Sequence, residues 1–135
     1  MLNANGKRIR LKKFRKSNVD LGKLILAVRA IAAEQPDRIY TKDGPYGVCL
    51  YRRTVQSDGT MRGCIIGEAL RRSGWSTTGL DSSEMGGIQF ILVDVFKLHS
   101  DNRQVVWLGR VQGEQDAGKT WANAVLAADK ATPLA

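Results

Sequence analysis

A change of period between Cys49 and Gly74 sets the tightest limit on what this chain can fold into. The stretch reads CLYRRTVQSDGTMRGCIIGEALRRSG and holds both cysteines of the chain. The residues that lead into it and open it, from Tyr46 to Val55, are rich in aromatic and β-branched side chains. Ser57-Asp58-Gly59 follows, and Gly59 tolerates the positive φ that a tight turn requires, so the pattern predicts a hairpin. Beyond Gly63, the residues Ile65, Ile66, Ala69 and Leu70 share a face only if the backbone is helical. Arg71 and Arg72 in the last turn, with Gly74 just past it, carry the charge and backbone chemistry of a helix C-terminus. Glu68, Arg71 and Arg72 then point away from the apolar face.

Further helices are expected on either side. Ser17 or Asn18 caps the first, where Leu21, Leu24, Ile25, Val28, Ile31 and Ala32 recur at three and four residues before Pro36. A short extended piece, Arg38 to Tyr40, leads into the hairpin. Trp75 opens a polar linker, after which Asp81, Ser82 or Ser83 caps a helix with Met85, Ile88, Ile91, Leu92 and Val95 on its core face. Ser100 and Asp101 start another cap, and Arg103 to Asp116 forms a fourth helix with Val105, Leu108 and Gln112 on one face and Trp107 and Val111 beside it. Gly118 closes that helix, Thr120 caps a fifth, and Trp121, Ala124, Val125 and Ala128 form its stripe. The expected fold is α+β: about five helices packed around one β-hairpin, with a basic N-terminal arm. The arm covers residues 1–17 and a single globular domain 18–135, and either the strand around Arg38 to Tyr40 or the arm widens the hairpin.

At 135 residues the chain is long enough for one domain with a real core. No stretch approaches the roughly 18 apolar residues of a membrane span, and the N-terminus does not read as a cleavable signal, so a cytoplasmic location is expected. Two cysteines 15 positions apart do not make a disulfide scaffold, and Cys49 and Cys64 are expected to be reduced and buried side by side.

The net charge of +8 is unevenly spread. Of 21 basic residues, Lys7, Arg8, Arg10, Lys12, Lys13, Arg15 and Lys16 fall within ten positions, and the other 14 face 13 acids, a balance of +1. A block of like charges stays extended until it meets an anion, which points to nucleic acid as the partner. Equally, the block fits a solubilising tail or a basic edge strand. If nucleic acid is the partner, Arg52, Arg53, Arg71 and Arg72 extend the arm into one basic patch.

Catalytic chemistry finds little support. His99 is the only histidine, so two thiols and one imidazole fall a ligand short of a closed zinc site, and no metal or cofactor is expected. Gly113 to Thr120 matches the spacing of a phosphate loop, but helical residues precede it, and Glu114 and Asp116 repel phosphate. It reads as one helix end followed by an N-cap threonine. A helix-turn-helix over Gly67 to Thr78 needs a second helix near Ser76, where the periodicity is poor. The chain is therefore read as a non-enzyme.

Taken together, Ala27 to Glu34 with Pro36-Asp37, Cys49-Leu50-Tyr51, Gly63 to Leu70, Gln115 to Gly118, Thr120-Trp121 and Ala124-Val125 give the chain a likeness to a known group. It resembles uncharacterised small proteins of actinobacteria and their bacteriophages. The resemblance runs from residue 24 to 129 and implies a mycobacteriophage-type accessory protein with no established activity. In those proteins the position of Glu68 is often histidine. Two functional classes follow: a non-catalytic accessory protein that binds nucleic acid through its arm, and a phage-encoded modulator that binds a host protein through its helical surface.

Overall fold

The computed structural model describes residues 12–13, 20–40, 54–55, 61–76, 87–95 and 97–134. Helices account for the packing among them. The first helix, α1 (Leu21–Glu34), begins where the Asp20 carboxylate accepts from the Lys23 N–H at 3.0 Å. Asp20, rather than the expected Ser17 or Asn18, is therefore its N-cap, and those two residues lie outside the described set. Leu24, Ile25, Val28, Ile31 and Ala32 line its buried face, as the three-and-four spacing predicts.

The second helix, α2 (Ile65–Arg72), buries Ile65, Ile66, Ala69 and Leu70 completely. It stops at Ser73, and Gly74 takes a φ of 91°, a backbone angle that costs any residue with a Cβ. The third, α3 (Ile88–Phe90), starts from Gly87 and loosens into a π-helical turn over Ile91–Val95, with Ile88, Ile91 and Leu92 buried. The chain then closes with Lys97 at φ 58° and the Leu98 N–H donating to the Leu92 carbonyl at 2.9 Å. The expected caps Asp81, Ser82 and Ser83, and Met85, lie outside the described residues.

The last two helices, α4 (Arg103–Asp116) and α5 (Trp121–Ala131), form an antiparallel pair joined by a short connection. Asn102 caps α4, accepting from the Gln104 and Val105 N–H groups, in place of the expected Ser100 or Asp101. Thr120 caps α5 as predicted, its hydroxyl accepting from the Asn123 N–H at 3.2 Å. Helices α1, α2, α3 with its π turn, α4 and α5 share one apolar core, at whose centre Trp107 and Trp121 are fully buried.

The expectation of an α+β fold built on a hairpin is overturned. Among the described residues, β structure is confined to two-residue rungs. Strand β2 (Thr54–Val55) pairs antiparallel with β3 (Met61–Arg62), and β1 (Lys12–Lys13) pairs parallel with β4 (Trp75–Ser76). Among the described residues the helices pack chiefly on one another, α4 on α5 and α1 on α2. Of the segments expected to widen the hairpin, Ile39 bridges to Thr120 and Lys12–Lys13 pair with β4. The physical reason is area. A two-residue ladder offers helices no broad apolar face, whereas the stripes of five helices supply enough to close a core among themselves.

Candidate nucleic-acid interface

The residues singled out for anion binding divide into three groups. Lys7, Arg8, Arg10, Arg15, Lys16, Arg52 and Arg53 lie outside the described residues. Lys12 and Lys13 form β1, whose register sets Lys12 opposite Trp75 and Lys13 opposite Ser76. Since β4 begins three residues after α2 ends, the middle of the arm runs beside the C-terminal end of that helix.

Arg71 and Arg72 are the third group, and both are already compensated. Arg71 forms an ion pair with Glu68 at 2.8 Å, one turn back on α2, and Arg72 reaches Glu34 at the end of α1 at 2.7 Å. Glu68 and Arg71 are also more covered than a solvent-facing side of α2 implies, with side chains only 12% and 17% exposed. Glu68 and Glu34 thus stand beside two of the cations expected to form one basic patch.

A separate charged cluster links α1, α4 and α5. The Arg29 guanidinium grips Asp129 with two parallel hydrogen bonds of 2.8 and 2.7 Å, and the Trp107 indole N–H donates to the same carboxylate at 2.9 Å. Arg29 also stands over the Trp107 ring, 4.9 Å from its centroid. The Arg29 hydrogen bonds hold the Asp129 carboxyl below the usual carboxylate range against the opposing effect of burial, with the Trp107 N–H adding to the shift. Hydrogen bonding to Asp129 raises the Arg29 pKa in turn. This bidentate geometry fixes how α5 lies on α1.

Sequence reasoning set Gln112 on a face of α4 without giving it a role, and gave Gln115 none either. Gln115 is fully buried, and its side-chain oxygen accepts from the Ile65 N–H at 2.8 Å. Gln112, one turn earlier, accepts from the Ile88 N–H at 2.5 Å. Ile65 and Ile88 are the first residues of α2 and α3, whose initial N–H groups have no partner within their own helix. Cys64 is a weak cap for α2, its sulfur accepting from the Gly67 N–H at 3.4 Å, and Gly87 offers no side chain at all. A polar residue on an apolar stripe was the available signal for Gln112, and nothing local marks Gln115.

The readings against catalysis meet these facts. Cys64 is free and buried, and Cys49 lies outside the described residues. His99 is exposed and paired with Asp101. Among the described residues no group of three or more His, Cys, Asp or Glu is placed to hold a metal. The Gly113 to Thr120 stretch is the end of α4, a turn with Gly118 at φ 99°, and the N-cap of α5, while Lys119 pairs with Glu114 at 2.6 Å. Ser76 is extended, so no second helix of a helix-turn-helix begins there. Among the described residues no helix is long and apolar enough to cross a membrane. No protein-family model, curated protein or solved structure matches this chain.

Proposed function

We propose that this chain is a non-catalytic accessory protein that binds nucleic acid through the arm from Lys7 to Lys16, with little preference for base sequence. The observation that carries this reading is the concentration of seven cations in ten residues, on a chain whose remainder is nearly neutral. Such a cluster releases condensed counterions from a phosphate backbone, a driving force that needs no shaped pocket. The arm contains no Asn or Gln to pair with adenine edges, so contact is mainly with phosphate. Pairing of Lys12–Lys13 with Trp75–Ser76 supports the reading, because it ties two of the seven cations to the end of α2. Arg71 and Arg72, held by Glu68 and Glu34, contribute less than their charge suggests.

The test is a salt titration on a labelled duplex and a labelled single strand, with the full chain and a variant lacking residues 1–16. Affinity of the full chain should fall steeply with salt, with a log–log slope of about −0.9 per phosphate neutralised on duplex DNA. The deletion should abolish binding while the helical core keeps its circular dichroism, and Arg72→Ala should change affinity little. If the deletion binds as well as the full chain, or if neither binds at low salt, the arm is structural and modulation of a host protein takes its place.

A further inference from the structure

The outward side of α1 is apolar in the middle and charged at its ends. Lys23, Leu26, Ala30, Ala33 and Glu34 are all exposed, and helical periodicity sets them within one arc. Leu26 is 68% exposed, and Leu126, on the neighbouring face of α5, is 63% exposed. Between α1 and α5 lies a groove lined by Ala32, Ala33, Pro36, Ala122 and Val125. Arg29 and Asp129, also at this groove, are satisfied by each other.

We propose that this face joins two copies of the chain, packed through antiparallel α1 helices about a two-fold axis beside Ala30. A two-fold interface uses one patch twice, so the patch must be its own complement. This one is: projecting leucines stand next to an alanine-lined hollow on the same surface. Antiparallel pairing centred between Arg29 and Ala30 lays Leu26 of one copy against Ala33 of the other. The same register sets Lys23 opposite Pro36 of the other copy, between Glu34 and Asp37, giving opposite charges at both rims. Glu34 already holds Arg72 but keeps half its side chain exposed, so it can accept a second cation.

The charge of the face argues for a second copy over a nucleic acid. Its central Arg29–Asp129 pair is closed on itself, so covering it leaves no lone charge buried. The near-neutral remainder of the chain offers no bar to self-association. A helix of 14 residues is about 21 Å long, so the paired faces are small and the dimer is a weak one that depends on concentration.

Nuclease-treated protein at high salt, followed by sedimentation velocity over a concentration series, tests the dimer independently of nucleic-acid binding. Wild type should move from monomer towards dimer as concentration rises. Leu26→Lys should keep its helical circular dichroism, since Leu26 supports no core, and should weaken dimerisation about tenfold or more. Under mild oxidation Ala30→Cys should cross-link to a dimer, and Arg110→Cys, exposed on α4, should not. A wild type that stays monomeric throughout overturns the proposal, as does a dimer unaffected by Leu26→Lys or equal cross-linking of the two cysteine variants.

Discussion

The α4–α5 pair and the α2–α3 side of the molecule solve the same problem differently. Every helix begins with N–H groups that have no partner inside it. In α4 and α5 the residue just before the helix supplies the acceptor, Asn102 in one and Thr120 in the other. In α2 and α3 the preceding residues are Cys64 and Gly87, and the first N–H is taken up by Gln115 and Gln112, which reach across from α4. One pair of helices carries its own start signals, and the other two become complete only when α4 is docked. Helix α4 is therefore both a core helix and the capping element of its neighbours.

The largest effect should come from the core the two sides share. Trp121 is fully buried at the start of α5 among alanines, so Trp121→Ala should cost about 3–5 kcal/mol and lower the melting temperature of the whole domain. A loss confined to α5, seen as rapid amide exchange there with α2 unaffected, would divide the molecule more deeply than the caps do.

The caps themselves come next. Gln115→Met keeps the side-chain volume and removes the acceptor, leaving the buried Ile65 N–H unpaired at a cost of about 1–3 kcal/mol. Hydrogen exchange should speed up in the first turn of α2, 50 positions away in sequence, more than around the substituted position itself. Asn102→Ala should cost about 1 kcal/mol, with its effect confined to the first turn of α4. Equal and equally local effects of the two substitutions would erase the distinction.

The smallest effect is electrostatic and reports on the link between α1 and α5. The folded state depresses the Asp129 pKa, so its stabilising contribution is present above the pKa of an unfolded aspartate. That contribution should fade as pH drops through the depressed folded value. Acid titration of stability should therefore show a shallower loss in Asp129→Asn than in wild type, and because both side chains are more than a third exposed, added salt should reduce the difference.

Legibility in the sequence follows the same division. The bounds of α4, the threonine cap of α5 and the buried stripes of α1 and α2 could be read residue by residue, because spacing and capping chemistry act within a turn or two. The hairpin expected to organise the fold was over-read. The richness of Tyr46 to Val55 in aromatic and β-branched residues states a preference, and what the described residues hold of it is the pairing of Thr54–Val55 with Met61–Arg62. Of the candidate interface, the arm was visible as charge. The compensation of Arg71 by Glu68, three residues back on α2, was open to local pattern, whereas that of Arg72 was not, since Glu34 stands 38 positions away.

Local chemistry along the chain set that it has helices with apolar stripes, where most of them lie, and that its positive charge belongs to one short segment. Those properties depend on neighbours three or four residues apart, or on composition alone. Tertiary structure decided that the helices would close a core on one another, that Lys12–Lys13 would pair with Trp75–Ser76, and that Arg29 would meet Asp129 across 100 positions. It also decided which acceptors would complete α2 and α3. Each of these pairings is set by which surfaces can be buried together, and a buried N–H takes whichever acceptor the packing brings within reach, however far away it stands in the chain.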